Sequence, residues 1–263
     1  MHRFVATDGV EIAYRTWERE STLPPVVLHH GFAASGSTNW VQTGLVDALL
    51  GAGRRVVAID ARGHGASGKP HDPAFYGEER MAADLRELLD VLGEPAVDLA
   101  GYSMGAIVSL IAAGQEPRVR RLAVGGVGAA VVELGGVDTR VMGGTALVEA
   151  LRAPDPSTIT DPTGAAFRAF ADSTGADRLA LAAQAEVVHA TPIDLGAIKA
   201  PTLLLAGDAD PLAARPQVLA GAIPGARLRL VTGDHLAAVR DPAFAQALLA
   251  FLNADQPGDA RSA

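Results

Sequence analysis

The chain of 263 residues contains no cysteine. This absence excludes disulfide bonds, thiolate catalysis and zinc sites that depend on cysteine ligands. Lysine is nearly absent as well, since Lys69 and Lys199 are its only occurrences. Basic charge is carried almost entirely by arginine, and together with the many alanines this is typical of the codon bias of a GC-rich bacterium. The side chains left for catalysis are hydroxyls, imidazoles and carboxylates.

A surplus of positive charge and a long apolar run are also missing. The net charge of −8 argues against nucleic acid or a membrane as a partner, since either would need a basic face. No apolar run approaches the ~18 residues of a membrane span. Residues 1–5 pass directly into a strand pattern without the apolar core of a signal peptide. We therefore expect a cytoplasmic protein with a small-molecule substrate, and a homodimer is an open alternative.

Short apolar runs alternate with segments of helical periodicity along most of the chain. A hairpin is expected first, because the alternating segments 3–6 and 10–17 flank the turn signal Asp8-Gly9. Further strands are expected at 26–29, 55–59, 97–100, 122–124, 202–205 and 228–231, and helices at 39–50, 81–92 and 242–252. This order predicts an α/β fold, with a mostly parallel twisted sheet and helices on both faces.

The segment 101–105, Gly-Tyr-Ser-Met-Gly, is the most informative motif. It lies between the apolar run 96–100 and a helical segment. Glycines two residues before and after Ser103 allow a strand to turn sharply into a helix, because any side chain there would obstruct the close approach of the two elements. The Ser103 hydroxyl then lies at the positive end of the helix, where an anionic intermediate is stabilised. Ser103 is therefore predicted to be a nucleophile.

A serine nucleophile needs a base, and the base needs an orienting acid. His235 follows the apolar run 228–231, and Asp210 follows the run 202–205. Both residues thus lie where a strand ends, which is where open α/β sheets carry their chemistry. The sequence predicts a catalytic triad of Ser103, Asp210 and His235, with Asp208 as the main alternative acid.

Two further motifs are His30-Gly31-Phe32 and, at 60–67, Asp-Ala-Arg-Gly-His-Gly-Ala-Ser. With the serine motif and the order serine, acid, histidine, they resemble the α/β-hydrolase superfamily from Phe4 to about Leu252. The resemblance is to its esterase, lipase and epoxide-hydrolase-like branch. It favours Asp210 over Asp208 as the acid, and it implies a serine hydrolase that needs neither a cofactor nor a metal.

The resemblance also implies where the domains lie. Between 131 and 195 the regular alternation stops, and glycines and prolines separate short helical pieces. This is the position at which the family inserts a cap. We expect an α/β-hydrolase core at 1–130 and 196–253, a small helical cap insertion at 131–195, and a flexible polar tail at 254–263.

Two backbone N–H groups should form the oxyanion hole. One belongs to Met104, directly after the nucleophile, and the other to Phe32 in the 30–32 loop. Residues flanking the site are predicted to line an apolar substrate pocket, although at least half of the large apolar ones would be ordinary core residues. The predicted pocket residues are His30, Gly31, Trp40, Tyr102, Met142, Phe167 and Phe170.

Other motifs are better explained by structure than by chemistry. Arg62, His64 and Asp234 are expected to hold loops in place, and for His30 the same role is favoured over substrate contact. The segment 63–68 matches the dinucleotide pattern G-x-G-x-x-G, but Pro70 and Pro73 prevent the helix that a phosphate site requires. No H-E-x-x-H or comparable ligand spacing occurs. We therefore expect no nucleotide cofactor and no metal.

The predicted activity is hydrolysis of a small or medium, neutral, largely apolar carboxylic ester or lactone. Relatives with the same triad also hydrolyse carbon–carbon bonds or act as perhydrolases of the non-haem haloperoxidase type, and a hydrolase-fold sensor is a further alternative. Ser103 disfavours epoxide hydrolases and haloalkane dehalogenases, which carry aspartate at this position. An anionic substrate stays open because of four arginines in the insertion: Arg140, Arg152, Arg168 and Arg178.

Overall fold

A twisted sheet forms the centre of the protein in the computed structural model, which describes residues 1–254. Except for Ala254, the predicted tail 254–263 lies outside these residues. The strands are β1 (His2–Val5), β2 (Glu11–Trp17), β3 (Val26–His29), β4 (Val56–Asp60), β5 (Val97–Tyr102), β6 (Val119–Gly125), β7 (Thr202–Gly207) and β8 (Arg227–Val231).

The strand order in the sheet is β1-β2-β4-β3-β5-β6-β7-β8. The first two strands pair in antiparallel fashion, and β2 also runs antiparallel to β4. All other neighbours are parallel. The carboxyl ends of β3 to β8 therefore lie at one edge. This confirms the predicted α/β class, the mostly parallel sheet and the hairpin at Asp8-Gly9.

Helices cover both faces of the sheet. They are α1 (Leu45–Gly51), α2 (Glu78–Leu92), α3 (Met104–Gln115), α4 (Ala130–Leu134), α5 (Thr139–Met142), α6 (Thr145–Arg152), α7 (Pro162–Thr174), α8 (Arg178–Ala185), α9 (Pro216–Ala222) and α10 (Pro242–Leu252). Apolar side chains of α2, α3 and α9 bury one face, and those of α1 and α10 bury the other. Two apolar layers thus enclose the sheet and fix the strand ends that carry the site.

The predicted helix at 39–50 is wrong in its extent. Residues Ser37–Val41 form a π-helical turn, and α1 begins only at Leu45. Gly44 between them has φ 80°, a left-handed conformation that glycine adopts without steric cost and that interrupts a helix. The segment is therefore two short elements, and the first of them borders the candidate site.

Five helices, α4 to α8, lie between β6 and β7, in the predicted insertion. An apolar cluster formed by Leu147, Leu151, Ala171 and Leu181 also includes Ala33 and Leu212 from outside the insertion. The inserted helices therefore pack directly over the loops that follow β3 and β7. The exact boundaries of the core and the cap stay a prediction. None of the helices in residues 1–254 has the length and hydropathy needed to span a membrane.

Candidate active site

Ser103 lies in the turn between β5 and α3, with φ 55° and ψ −119°. Few residues other than glycine adopt positive φ, and such strain is found mainly at functional sites. A Cβ atom on Gly101 would overlap the carbonyl group of Gly105, and one on Gly105 would overlap the carbonyl group of His29. The two glycines are therefore required by the close contact of α3 with its neighbouring strands. This contact places the Ser103 side chain at the carboxyl edge of the sheet.

A continuous series of hydrogen bonds connects Ser103, His235 and Asp210. His235 Nε2 lies 2.9 Å from Ser103 Oγ, and His235 Nδ1 lies 2.8 Å from Asp210 Oδ2. Since a carboxylate only accepts, Nδ1 carries the proton and Nε2 is free to accept the serine hydroxyl. The structure thus brings together the three predicted triad residues in the geometry of a nucleophile, a base and an orienting acid.

The Asp210 carboxylate is buried and held on both sides. Its Oδ1 atom accepts hydrogen bonds from the backbone N–H groups of Leu212 and Ala213, at 2.9 and 3.3 Å. Asp208, the alternative acid, instead accepts from the N–H of Gly233 at 2.9 Å. Asp210 is therefore the acid that contacts His235, whereas Asp208 connects the loop after β7 to the loop after β8.

The loop that carries His235 is fixed by two neighbours. Asp234 accepts from the N–H groups of Leu236 and Ala237, at 3.0 and 2.9 Å. The Tyr102 hydroxyl donates to the His235 carbonyl at 2.7 Å, and the two rings lie 5.3 Å apart. Both contacts restrain the imidazole against Ser103.

The predicted oxyanion donors are the backbone N–H groups of Phe32 and Met104. Neither the N–H of Phe32 nor that of Met104 donates a hydrogen bond to any group in residues 1–254. Phe32 follows Gly31, where an added Cβ would lie 3.2 Å from Ser103 Cβ, so this loop passes directly beside the serine. Both predicted oxyanion donors are thus near the nucleophile and available to an oxygen of a bound substrate.

His30 and His64 hold this loop from beneath. His30 Nδ1 donates to the Gly31 carbonyl at 2.8 Å, while its Nε2 accepts from the N–H of Ala61 at 2.9 Å. Because that carbonyl and the N–H of Phe32 belong to one planar peptide group, His30 orients the predicted oxyanion donor. His64 Nδ1 donates to the Arg62 carbonyl at 2.9 Å, and its Nε2 accepts from the N–H of Ala33 at 3.1 Å. These bonds require both rings to be neutral.

Burial lowers the pKa of His30 and His64, and also that of His29, whose pKa falls to about 3. We expect the free energy of unfolding to fall as the pH drops below about 6.5, the pKa of an unfolded histidine. The reason is that the unfolded chain binds more protons at His29, His30 and His64 than the folded protein does. Glu78 acts in the opposite direction, because burial raises its pKa to about 7 and the folded protein retains a proton that the unfolded chain releases. With three histidines acting in one direction and Glu78 in the other, the unfolded chain binds up to two more protons than the folded protein. This difference corresponds to a slope of the free energy of unfolding of up to about 2.7 kcal/mol per pH unit.

Urea unfolding at pH 7, 6 and 5 measures this slope. The matched variant is Glu78→Gln, which can keep an oxygen acceptor for the His189 N–H, now 2.8 Å from Glu78 Oε2, but cannot titrate. We expect its slope to be steeper than that of the wild type by about 1.4 kcal/mol per pH unit. A stability that is constant from pH 7 to pH 5 would contradict the neutral state of the buried histidines.

A cavity of about 720 Å³ opens over Ser103 and His235. Six of the predicted pocket or oxyanion residues line it: Gly31, Phe32, Tyr102, Met142, Phe167 and Phe170. His30 and Trp40 are predicted pocket residues that do not line the cavity. The His30 ring is fully buried by its backbone contacts, and Trp40 packs into the apolar layer with Leu28 and Leu45. A residue that is close to the site in sequence can thus have a side chain that is buried in the protein and does not line the cavity.

The cavity also has walls that the sequence did not indicate. Thr38, Gln42 and Thr43 come from the turn before α1, Leu212 and Leu236 from the triad loops, and Arg240 from the turn before α10. Only their closeness in sequence to the 30–32 loop, or to Asp210 and His235, could have suggested them. The four arginines of the insertion are absent from the lining. They pair with Asp138, Glu186 and Asp172 or donate to backbone carbonyls.

The glycine-rich segment 63–68 does not present a phosphate cradle. The N–H of Ala66 donates to the carboxylate of Asp60 at 2.9 Å, so an anion already occupies the turn. No α-helix follows until Glu78. Among residues 1–254, no group of three or more histidine or acidic side chains is arranged to hold a metal ion.

Comparisons with known proteins agree with the observed fold. Residues 24–131 match the family described as the alpha/beta hydrolase fold. The chain superimposes on the crystal structure of a hydrolase from Pseudomonas aeruginosa PA01 with a TM-score of 0.72 and 30% sequence identity. That alignment covers 96% of this chain and 98% of the other.

Two curated proteins are similar over a shorter region. An sn-1-specific diacylglycerol lipase of Mus musculus is 39% identical over 110 residues, which are 41% of this chain and 34% of the lipase. The 2-hydroxy-6-oxo-2,4-heptadienoate hydrolase of Pseudomonas putida is 41% identical over 116 residues, which are 43% of this chain and 41% of that enzyme. The chain thus matches about a third to about two fifths of the length of these relatives.

Proposed function

This chain belongs to the α/β-hydrolase superfamily, and we propose that it is a cofactor-free serine hydrolase of a small or medium, neutral, largely apolar carboxylic ester or lactone. The observation that carries the proposal is the hydrogen-bonded series Asp210, His235 and Ser103 at the base of a cavity. A serine with a base and an orienting acid performs acyl transfer without a cofactor.

In the first half of the reaction, His235 Nε2 takes the proton of Ser103 while Oγ attacks the substrate carbonyl. The carbonyl oxygen becomes an anion and accepts hydrogen bonds from the N–H groups of Phe32 and Met104. Asp210 holds the imidazole in the correct tautomer and stabilises its positive charge. Collapse of the tetrahedral intermediate breaks the bond to the alcohol oxygen, which receives the proton from His235, and leaves an acyl group on Ser103.

In the second half, the same imidazole removes a proton from water as the water attacks the acyl carbon. The N–H groups of Phe32 and Met104 stabilise the second anion as they did the first. The bond to Ser103 Oγ then breaks, and the proton returns from His235 to the serine. The products are a carboxylic acid and an alcohol, or a hydroxy acid when the substrate is a lactone.

The shape and charge of the cavity support the substrate class. Its volume of about 720 Å³ lies within the ~300–1,000 Å³ of ordinary small-molecule sites. Val141, Met142, Phe167 and Phe170 give it an apolar wall on the side of the insertion. Since the four arginines of the insertion are engaged elsewhere, this wall favours an uncharged acyl or alcohol group.

Initial rates on p-nitrophenyl esters from acetate to laurate test the proposal. We expect turnover with an optimum at intermediate chain length, because each buried methylene contributes about 0.8 kcal/mol until the cavity is full. Turnover of none of the esters would overturn the ester hydrolase.

Replacing Phe170 by alanine is expected to move this optimum to longer acyl chains. Phe170 lies in the apolar wall, so removing its ring makes room for further methylenes. The measurement is kcat/KM along the same ester series. Leu179→Ala is the matched control, since Leu179 is 45% exposed and does not line the cavity. An unchanged optimum in Phe170→Ala would place the acyl chain elsewhere.

A second candidate is hydrolysis of a carbon–carbon bond. It is favoured by the 41% identity to the Pseudomonas putida hydrolase and by Arg240. This arginine lines the cavity, and its guanidinium makes no hydrogen bond or ion pair with other residues of the part described, 1–254, so it is free to meet a carboxylate. The test is turnover of 2-hydroxy-6-oxo-2,4-heptadienoate by wild type and Arg240→Ala. A kcat/KM that exceeds the best ester value by a factor of about 100 and falls in the variant would replace the ester proposal.

A further inference from the structure

Ala33 is held in a strained conformation directly after the predicted oxyanion residue Phe32. Its φ of 58° is uncommon for a residue with a Cβ atom, so the surroundings must maintain it. Its N–H donates to His64, and its carbonyl oxygen accepts from the hydroxyl of Thr174 at 3.1 Å. One contact comes from beneath the site, and the other comes from α7 in the insertion.

The Thr174 hydroxyl has one proton and three carbonyl oxygens within reach. The other two belong to its own helix, at Phe170 (3.2 Å) and Ala171 (3.0 Å). Both of these already accept hydrogen bonds, from Ser173 Oγ and from the N–H of Ala176 respectively.

The Ala33 carbonyl differs from these two oxygens. Ala33 is buried, and its carbonyl accepts from no other group in residues 1–254. A buried carbonyl without a donor is costly. Donation of the Thr174 hydroxyl proton to the Ala33 carbonyl oxygen therefore stabilises the fold more than donation to either of the other two oxygens.

A second contact joins the same helix to the same loop. The ring of Phe167, two turns before Thr174, lies 6.0 Å from the ring of Phe32 in an edge-to-face arrangement. The other edge-to-face neighbour of Phe32 is His64, at 5.9 Å. The loop is thus enclosed between His64 on the core side and α7 on the side of the insertion.

We propose that Thr174 is a positioning residue, through which α7 orients the loop that supplies the Phe32 N–H to the oxyanion. The inference rests on the proposed function, since it assigns Thr174 a part in the same reaction. Thr174 acts through Ala33, whose conformation sets the direction of the preceding peptide groups. The insertion therefore contributes to the chemical step in addition to lining the cavity.

Thr174→Val, which replaces the hydroxyl by a methyl group, is expected to lower kcat about 10-fold. This is less than the 10²–10³-fold loss that follows removal of a whole oxyanion donor, because the N–H remains and is only misdirected. The loss should be similar for acetate and for longer esters, with KM nearly unchanged, since the donor acts on charge that develops in the transition state. Thr174→Ser retains the hydroxyl and should restore kcat.

The experiment measures kcat, KM and the melting temperature for wild type, Thr174→Val and Thr174→Ser. Thr158→Val is the matched control, because Thr158 is an exposed threonine of the insertion whose hydroxyl, among the described residues, bonds only to the Asp155 carbonyl. If Thr174→Val does not fold, Thr174→Ala takes its place. A change in KM alone would identify Thr174 as a substrate contact and overturn the proposal, and so would an unchanged kcat or a serine variant that fails to recover.

The rate at which a fluorophosphonate labels Ser103 separates this inference from the proposed function. Labelling needs the nucleophile and the oxyanion hole but no ester substrate. If wild type labels but hydrolyses no ester, the substrate class is wrong, and slower labelling of Thr174→Val still supports the positioning role. A wild type that does not label overturns both.

Discussion

Replacing Ser103 by alanine is expected to lower kcat for p-nitrophenyl esters by at least about 10⁴-fold. The variant removes the only atom of the series that forms a bond to the substrate, and loss of the nucleophile in a well-studied serine protease lowers kcat by about 10⁶-fold. KM should change little, because the cavity wall is intact. The measurement is the initial rate at saturating ester, together with fluorophosphonate labelling, which should disappear.

Ser109→Ala is the matched control for this variant. Ser109 lies in α3, six residues after Ser103, and donates to the Gly105 carbonyl at 2.6 Å without lining the cavity. We expect it to retain activity within a few-fold of wild type. Full turnover in Ser103→Ala would show that the reaction does not pass through an acyl-enzyme on this residue.

Replacing Asp210 by asparagine is expected to lower kcat by about 10⁴-fold, as the equivalent change does in a serine protease. The amide has the same shape, but it can present an N–H to His235. The imidazole would then carry its proton on Nε2 and could no longer accept the proton of Ser103. Loss of the negative charge also leaves the imidazolium without its buried partner. Rates on the best ester from pH 6 to pH 9 measure the effect.

Asp208→Asn serves as the comparison, because both acids follow β7 and both accept backbone N–H groups. An asparagine oxygen can still accept from Gly233, so we expect kcat within a few-fold of wild type. The opposite result, a large loss in Asp208→Asn and a small one in Asp210→Asn, would reassign the acid and show that the contact with His235 is not the functional one.

The sequence was sufficient where the requirement is local. Gly101 and Gly105 are needed because neighbouring backbone leaves no room for a Cβ, and this need is visible as a spacing around Ser103. His235 and Asp210 were found because each follows an apolar run, and the ends of parallel strands meet at one edge of a sheet. The same alternation of runs predicted the α/β fold.

The sequence was not sufficient where a side chain's direction depends on packing. Trp40 was expected at the site, but the π-helical turn at Ser37–Val41 directs it into the core. The predicted helix at 39–50 is too long, because the sequence does not show that Gly44 has a positive φ. Thr174 was missed altogether, since its contact with Ala33 joins residues 141 positions apart and exists only once the insertion packs on the loop.

Exchange of the inserted helices is one way in which such a protein could acquire new substrates. Ser103, Asp210, His235 and both predicted oxyanion donors lie outside the insertion, and β6 and β7, which flank it, are neighbours in the sheet. A foreign segment of similar span could therefore be joined at these strands without altering the triad. The bond from Thr174 to Ala33 sets a condition on such a chimera, because a graft without a hydroxyl at that point would bind its ligand yet turn it over slowly.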